Sequence, residues 1–442
     1  MEKIKVAIVS LGCAKNRVDA EMMLYKLRAA GFEIISDPGL ADVSIVNTCG
    51  FIESAKQESI EEILELGKLK AEGQIKHILV TGCLAERYRE EIKNELPEAD
   101  AVIGIGANGD IVEAVKSVLK GEETLMFPDK TLMPLGDKRI QSTPLHYAYL
   151  KVADGCDNRC TYCAIPLIRG GFRSRPIEDI LSEASELAEK GVRELCVIAQ
   201  DTTRYGLDLY GELKLAELLK ELCKIEKLRW IRVLYCYPDN ITDELIDTIA
   251  SEDKIVKYID LPLQHSNGRI LKAMNRTGNT ESLTALLTKI RERIPGVVLR
   301  TTLIAGFPTE TEAEFEEAAQ FAKDVRFERL GCFAYSTEED TPAALLPQIE
   351  EEIREKRAEL IMEQQQYIMD EFNAGRIGTT QVVLCEGFDR YAECYFGRTY
   401  AEAPEVDPNV FFTSDRKVHE GEFVKVKITD TLDCDLLGEL SE

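Results

Sequence analysis

A chain of 442 residues, 45% hydrophobic and 30% charged, is long enough for roughly two to four globular domains with ample core. Its net charge of −25 disfavours broad contact with phosphate backbones, which attract Lys and Arg, and fits a basic protein partner better. The first apolar run ends at Ser10-Leu11-Gly12, too short for a signal peptide, and no stretch approaches a membrane span, so a cytoplasmic protein is expected. Thirteen cysteines in such a protein favour metal or catalytic use over disulfides.

Residues 1 to about 120 repeat one pattern. Strands are predicted at Ile4–Val9, Val43–Asn47, His77–Val80 and Ala101–Ile103. Helices are predicted from about Asn16 to Ala30, up to Leu66, from Ala85 to Leu96 and from Ile111 to Leu119. This alternation predicts an open, mostly parallel sheet of flavodoxin-like type. Cys13, Cys49 and Cys83 each follow a strand and precede its helix. In an open parallel sheet those turns share the edge where ligands bind, and helix N-termini there would help stabilise thiolates. Three buried core cysteines are the plainer reading, but core packing gives no reason to use the same turn three times. A second three-cysteine cluster is therefore expected. Gly121 to Leu145, with Pro128, Pro134 and Pro144, reads as a linker, with a possible strand at Thr124–Phe127.

The next stretch concentrates the chemistry. Cys156, Cys160 and Cys163 lie within eight residues of Gly155-Cys156-Asp157-Asn158-Arg159-Cys160-Thr161-Tyr162-Cys163. Three thiolates can hold an iron–sulfur cube with one iron left open to a small molecule, much as a catalytic zinc keeps one position free. A structural zinc knuckle would need a fourth ligand nearby, and His146 lies on the wrong side of a predicted strand. The spacing resembles the motif of the radical S-adenosylmethionine (SAM) superfamily. That resemblance implies that the open iron binds the amino and carboxylate groups of SAM. An electron then splits the sulfonium to give a 5′-deoxyadenosyl radical.

From Tyr147 to about Gly375 strands and helices alternate again. Strands are predicted at Tyr149–Val152, Glu194–Ala199, Ile231–Tyr235, Tyr258–Leu261, Val297–Ile304 and Leu330–Tyr335. Six such units predict an open, partial (β/α)6 barrel with its site at the strand C-terminal ends. The cysteine loop follows the first strand, at that face. A long charged helix, from about Ile349 to Phe372, closes the unit. Beyond Arg376, short strands at Gln381–Leu384, Val410–Phe412 and Phe423–Ile428 predict a small antiparallel β-barrel. That stretch carries 14 Asp/Glu against 7 Lys/Arg, the wrong sign for RNA.

Two cysteine trios, a partial barrel and a terminal small barrel resemble the methylthiotransferase family of radical SAM enzymes. The resemblance runs from Val6 to Leu440. Leu11–Asp19, Ala148–Val152, Ala199–Gly206 and Ala403-Pro404-Glu405-Val406-Asp407 are similar to the branch that modifies an aspartate of small-subunit ribosomal protein twelve. Pro262-Leu263-Gln264-His265 is shared across the family. One departure is Thr309, in Gly306-Phe307-Pro308-Thr309-Glu310-Thr311, where Gly is expected.

The resemblance implies an auxiliary-cluster domain over 1–120, a linker over 121–145, a radical SAM domain over 146–375 and a TRAM-like barrel over 376–442. It implies two 4Fe-4S clusters, with Cys13, Cys49 and Cys83 holding the one that carries or supplies sulfur. SAM would serve as radical source and as methyl donor, and an electron donor of flavodoxin or ferredoxin type would reduce the cluster. Tyr162, Gln200, Asp201, Arg300 and Leu303 are candidate SAM contacts. His265 could touch substrate but reads more simply as a hydrogen-bonded structural residue, and Cys196 and Cys332 read as core. The expected partner is a basic ribosomal protein, free or in the ribosome, rather than membrane or tRNA. The alternatives are the same chemistry on an anticodon-adjacent tRNA adenosine, for which only Arg169, Arg173 and Arg175 offer a basic patch, and a non-catalytic iron–sulfur electron carrier.

Overall fold

In the computed structural model, which describes residues 3–441, the first repeats build a six-stranded, all-parallel sheet. Its order is Glu33–Ile34, Lys5–Ser10, Val43–Thr48, His77–Gly82, Ala101–Ile103 and Thr124–Met126. The order reverses between Lys5–Ser10 and Val43–Thr48, which is the flavodoxin-like switch point where a crevice opens at the strand C-termini. Gly12-Cys13 and Cys49 follow these two strands directly. Val43–Thr48 is buried at every residue, as a central parallel strand covered by helices on both faces must be. The sheet takes its sixth strand from Thr124–Met126, pairing with Ala101–Ile103, so it reaches into the stretch expected to be linker. The remainder of that stretch is anchored too: buried Arg139 pairs with Glu21 at 2.6 Å and Glu183 at 2.9 Å.

The second sheet holds Tyr147–Lys151, Glu194–Ile198, Trp230–Val233, Ile255–Asp260, Val298–Ala305 and Arg329–Ala334 in sequential order, all parallel and open at the ends. Alternate residues divide its two faces. Leu150, Leu195, Val197, Ile259, Leu299 and Leu303 pack outward against the helices. Tyr147, Tyr149, Cys196, Ile198, Trp230 and Tyr258 point inward. Helix Glu351–Ala374 lies along the last strand.

The C-terminal unit is a closed barrel of five strands, ordered Thr380–Asp389, Cys394–Arg398, Val410–Thr413, Asp435–Ser441 and Phe423–Leu432. Its connection Thr399–Asp407 enters the floor of the partial barrel, where Ala401 and Ala403 join the inward cluster. Tyr147 and Tyr149 donate to Glu405 at 3.0 and 2.9 Å, and Tyr258 donates to Asp407 at 2.6 Å. The floor is thus sealed from below and the opposite, cysteine-bearing mouth is left for ligands. No helix among the described residues is long and apolar enough to cross a membrane.

Candidate active site

The three N-terminal cysteine turns are packed into one another. Gly12 has φ +82°, and a Cβ there would stand 2.6 Å from Cys49 Cβ and 2.7 Å from its Sγ. A Cβ on Gly50 would meet the Leu84 backbone at 2.7 Å. Buried polar side chains fix the registration. Asn16 Nδ2 donates to the carbonyls of Leu11, Asn47 and Thr48 at 2.8, 3.1 and 3.2 Å. Thr48 donates to the Thr81 carbonyl at 2.6 Å, and Ser59 receives the Cys49 N–H at 3.0 Å. Cys13 caps helix Ala14–Ala29 and Cys83 opens helix Cys83–Glu95, so both thiols stand at positive helix ends. Burial pushes the Cys83 thiol up to about 12 and raises that of Cys49, with the neighbouring thiols adding to it.

The second trio lies at the mouth of the partial barrel, after Tyr147–Lys151. Its loop is clamped by backbone bonds from Cys156 N–H to Gly170 O at 3.1 Å and from Thr161 N–H to Met274 O at 3.0 Å. Burial pushes Cys156 up to about 11 and Cys163 up to about 12, opposed by the N–H groups of Asn158 and Ile165. Arg276, itself buried, donates to Cys160 Sγ at 3.8 Å, to Tyr162 Oη at 3.4 Å and to Pro262 O at 2.7 Å, and it lies 4.2 Å from the Tyr237 ring centre. Among the described residues it has no carboxylate partner, so the thiolate side of this loop supplies its counter-charge.

The two trios meet. Ala164 and Ile168, just past Cys163, pack on Cys83. Arg169, on the same short helix, donates to Asp19 and Asp154 at 2.9 Å each and reaches Asn16 Oδ1 at 3.4 Å. Lys151 completes the buried set, on Asp19 and Asp154. Burial alone would lower the Arg169 pKa, but Asp154, Cys83 and Asp19 hold it well above its ordinary value. A cavity of about 810 Å³ opens between Phe51 and Ile52, just past Cys49, with Gln57 of the following helix, and Tyr162, Gln264, Thr302, Ile304 and Phe333 of the barrel. The donor set fits iron–sulfur clusters: six free thiols in two trios, each approached by a buried guanidinium. Among the described residues no three ligands close around a single ion.

Comparison with known proteins finds a family match in each of the three units. Residues 5–104 match a family described as uncharacterized protein family UPF0004, 150–322 the radical SAM superfamily and 377–440 the TRAM domain. Proteins named ribosomal protein uS12 methylthiotransferase RimO are 49% identical in Thermoanaerobacter sp. and 51% identical in Caldanaerobacter subterraneus. Each alignment covers 98% of this chain and 99% of the relative. The chain belongs to the RimO methylthiotransferase family. Among solved structures, the radical SAM methyltransferase TsrM from Kitasatospora setae aligns with a TM-score of 0.57 at 14% identity, over 88% of this chain and 79% of that one. That likeness supports the fold alone.

The remaining candidate residues of this methylthiotransferase sort by position. Tyr162 lines the cavity. Gln200 is placed at the mouth, and among the described residues its buried Nε2 has no partner, as a ligand contact would leave it. Asp201 is fully buried and braces the cysteine loop, accepting from Asn158 at 3.0 Å and Thr203 at 2.6 Å. Two candidates do not line the cavity. Arg300 is the third residue of its strand, bonded to Asp260 at 2.9 Å and near Asp407 of the terminal barrel's connection at 4.0 Å. The Leu303 side chain faces the helices and is 1% exposed. Thr302 and Ile304, its neighbours of opposite parity, line the cavity instead. His265 is buried beside Glu310 at 3.3 Å and accepts the Asn267 N–H at 2.9 Å, a structural setting. Arg276, 116 residues from Cys160, carried no signal in the sequence.

Proposed function

We propose that this protein, in the cytoplasm, attaches a methylthio group to the β-carbon of an aspartate in ribosomal protein uS12. Cys156, Cys160 and Cys163 would hold one 4Fe-4S cluster, and Cys13, Cys49 and Cys83 a second. When bound, these clusters and SAM supply radical formation, sulfur and the methyl group. The observation that carries the reading is that one cavity is lined both by Phe51 and Ile52, just past Cys49, and by Tyr162, between Cys160 and Cys163, while Ala164 and Ile168 pack on Cys83. Hydrogen abstraction and sulfur delivery on one carbon require both trios within reach of that carbon.

The chain's own residues orient and enclose. Asp201 and Asn158 fix the loop, Tyr162 walls the cavity, and Gln200 Nε2 is free to donate. The sealed barrel floor excludes water from below. A flavodoxin- or ferredoxin-type donor would reduce the site. The acidic surface, net −25 over the chain, favours approach of a basic ribosomal protein.

The test is reconstitution with iron and sulfide, then incubation of reduced enzyme and SAM with uS12, ribosomes or tRNA, read by mass. Two clusters per chain and a methylthio increase on uS12 are expected. Cys156→Ala should abolish 5′-deoxyadenosine and product together. Cys49→Ala should keep SAM cleavage and lose sulfur insertion. One cluster per chain, or an increase on tRNA alone, would defeat the reading.

A further inference from the structure

Lys15 is placed where a lysine serves stability poorly. It lies in the first turn of helix Ala14–Ala29, at the positive end of the helix dipole, where a cation is disfavoured. The residue is 3% exposed, so the stem is packed and the ammonium has little water to replace a missing acceptor. Among the described residues nothing accepts a hydrogen bond from its Nζ and no carboxylate pairs with it. Its Nζ sits over the Tyr235 ring, 3.3 Å from the ring centre. The other buried cations at the two trios are engaged: Arg169 and Lys151 with Asp19 and Asp154, Arg276 with Cys160, and Arg87 with Glu338 at 2.7 Å. Tyr235 follows strand Trp230–Val233 at the barrel mouth, its N–H bonded to Asp260 at 3.0 Å. Lys15 therefore projects from beside Cys13 over the face that carries the Cys156 loop.

We propose that Lys15 binds the side-chain carboxylate of the substrate aspartate. This rests on the function proposed above. The carboxylate carbon is bonded directly to the carbon that receives sulfur, so it must enter the space between the two trios. There it sheds its hydration and needs a counter-charge. An ammonium two residues from Cys13, held over an aromatic face and lacking an anion, meets that need. A cation set against the helix dipole, with an aromatic face but no anion beside it, breaks a local rule of the kind found at functional positions.

The test uses the full-length, cluster-loaded enzyme with SAM, and uS12 carrying either its natural aspartate or asparagine there. The native enzyme is expected to bind the aspartate form about 10-fold or more tighter, the scale of a hydrogen bond to a charged group. Lys15→Met should erase that preference with SAM affinity unchanged, and Lys15→Arg should restore part of it. In the unaltered enzyme, lysine-15N should show a through-space contact to a 13C-labelled aspartate carboxyl in solid-state NMR. Equal binding of the two uS12 forms by the native enzyme, a preference surviving in Lys15→Met, or an absent 15N–13C contact would each overturn the proposal. So would a Lys15→Met defect confined to SAM binding, which would assign the ammonium to the SAM carboxylate. Failure of the native enzyme to modify uS12 would defeat the function itself and is read separately, by mass.

Discussion

Thr309 occupies a left-handed backbone conformation, φ +70°, that a β-branched residue enters at a cost of roughly 1–2 kcal/mol. Arg269 holds it there, donating to Thr309 O at 2.7 Å and to its Oγ1 at 3.2 Å. The next residue, Glu310, is locked by Arg357 at 2.7 Å and by the Gly306 N–H at 3.1 Å. Glycine, expected at this position, would relieve the strain and forfeit about 0.5–1 kcal/mol of unfolded-state entropy. Glycine also loses the Oγ1 bond, so Thr309→Gly should stay close to the parent and exceed Thr309→Ala by roughly 1 kcal/mol, read as a higher urea midpoint at unchanged slope. Thr309→Ala keeps the strain and loses the Oγ1 bond, so it should not exceed the parent. The reverse ranking of Gly and Ala would remove the strain argument.

The strand–Cys–helix turn is an element repeated until three thiols converge, and its tolerance is small at Gly12. Alanine there meets both the positive φ and the Cys49 side chain. Gly12→Ala should lose the N-terminal cluster, about half the iron per chain, while Cys156, Cys160 and Cys163 keep theirs and continue to cleave SAM. Full iron in the variant would mean the turns are not mutually braced. These turns were legible because chemistry and periodicity coincided. Facing was not legible: parallel barrel strands are apolar on both sides, so nothing in Val298–Ala305 tells that Leu303 points out and Thr302 in. Two strands of the terminal barrel, Cys394–Arg398 and Asp435–Ser441, escaped because each contains a glycine, which weakens a strand pattern. The barrel needs both glycines. A Cβ on Gly397 would stand 2.9 Å from the Leu384 carbonyl carbon, and one on Gly438 would stand 2.5 Å from Val426 Cγ1.

At the scale of the whole molecule, an acidic chain is fastened internally by arginine–glutamate pairs across its units. Glu402 accepts from Arg329 at 2.9 Å and Arg376 at 2.5 Å, and Glu194 joins Arg232 and Arg398 at 2.7 Å each. Partners so far apart in sequence could not have been matched from composition or spacing. Burial alone would raise the Glu402 pKa, yet Arg376 and Arg329 hold it down at about 2, against an ordinary 4.5. A carboxylate depressed on folding stabilises fully above its unfolded pKa and loses that contribution as pH falls through the folded one. For Glu402 this amounts to about 3 kcal/mol, lost between about pH 4.5 and 2. Glu386, also held at about 2 against the burial that opposes it, by His146 and Arg398, acts in the same window at the same interface. The single tryptophan reports on that interface, since Trp230 packs edge-on against Phe423 of the terminal barrel with ring centres 4.7 Å apart. The urea midpoint followed by Trp230 fluorescence should hold steady from pH 7 to 5 and then fall steeply toward pH 3. Glu402→Gln leaves two buried guanidiniums without their anion, so it should weaken the protein at pH 7 by about 3–5 kcal/mol. The same variant should flatten the acid limb, because the titrating group is gone. An acid limb as steep as the parent's would place the acid sensitivity elsewhere than this floor.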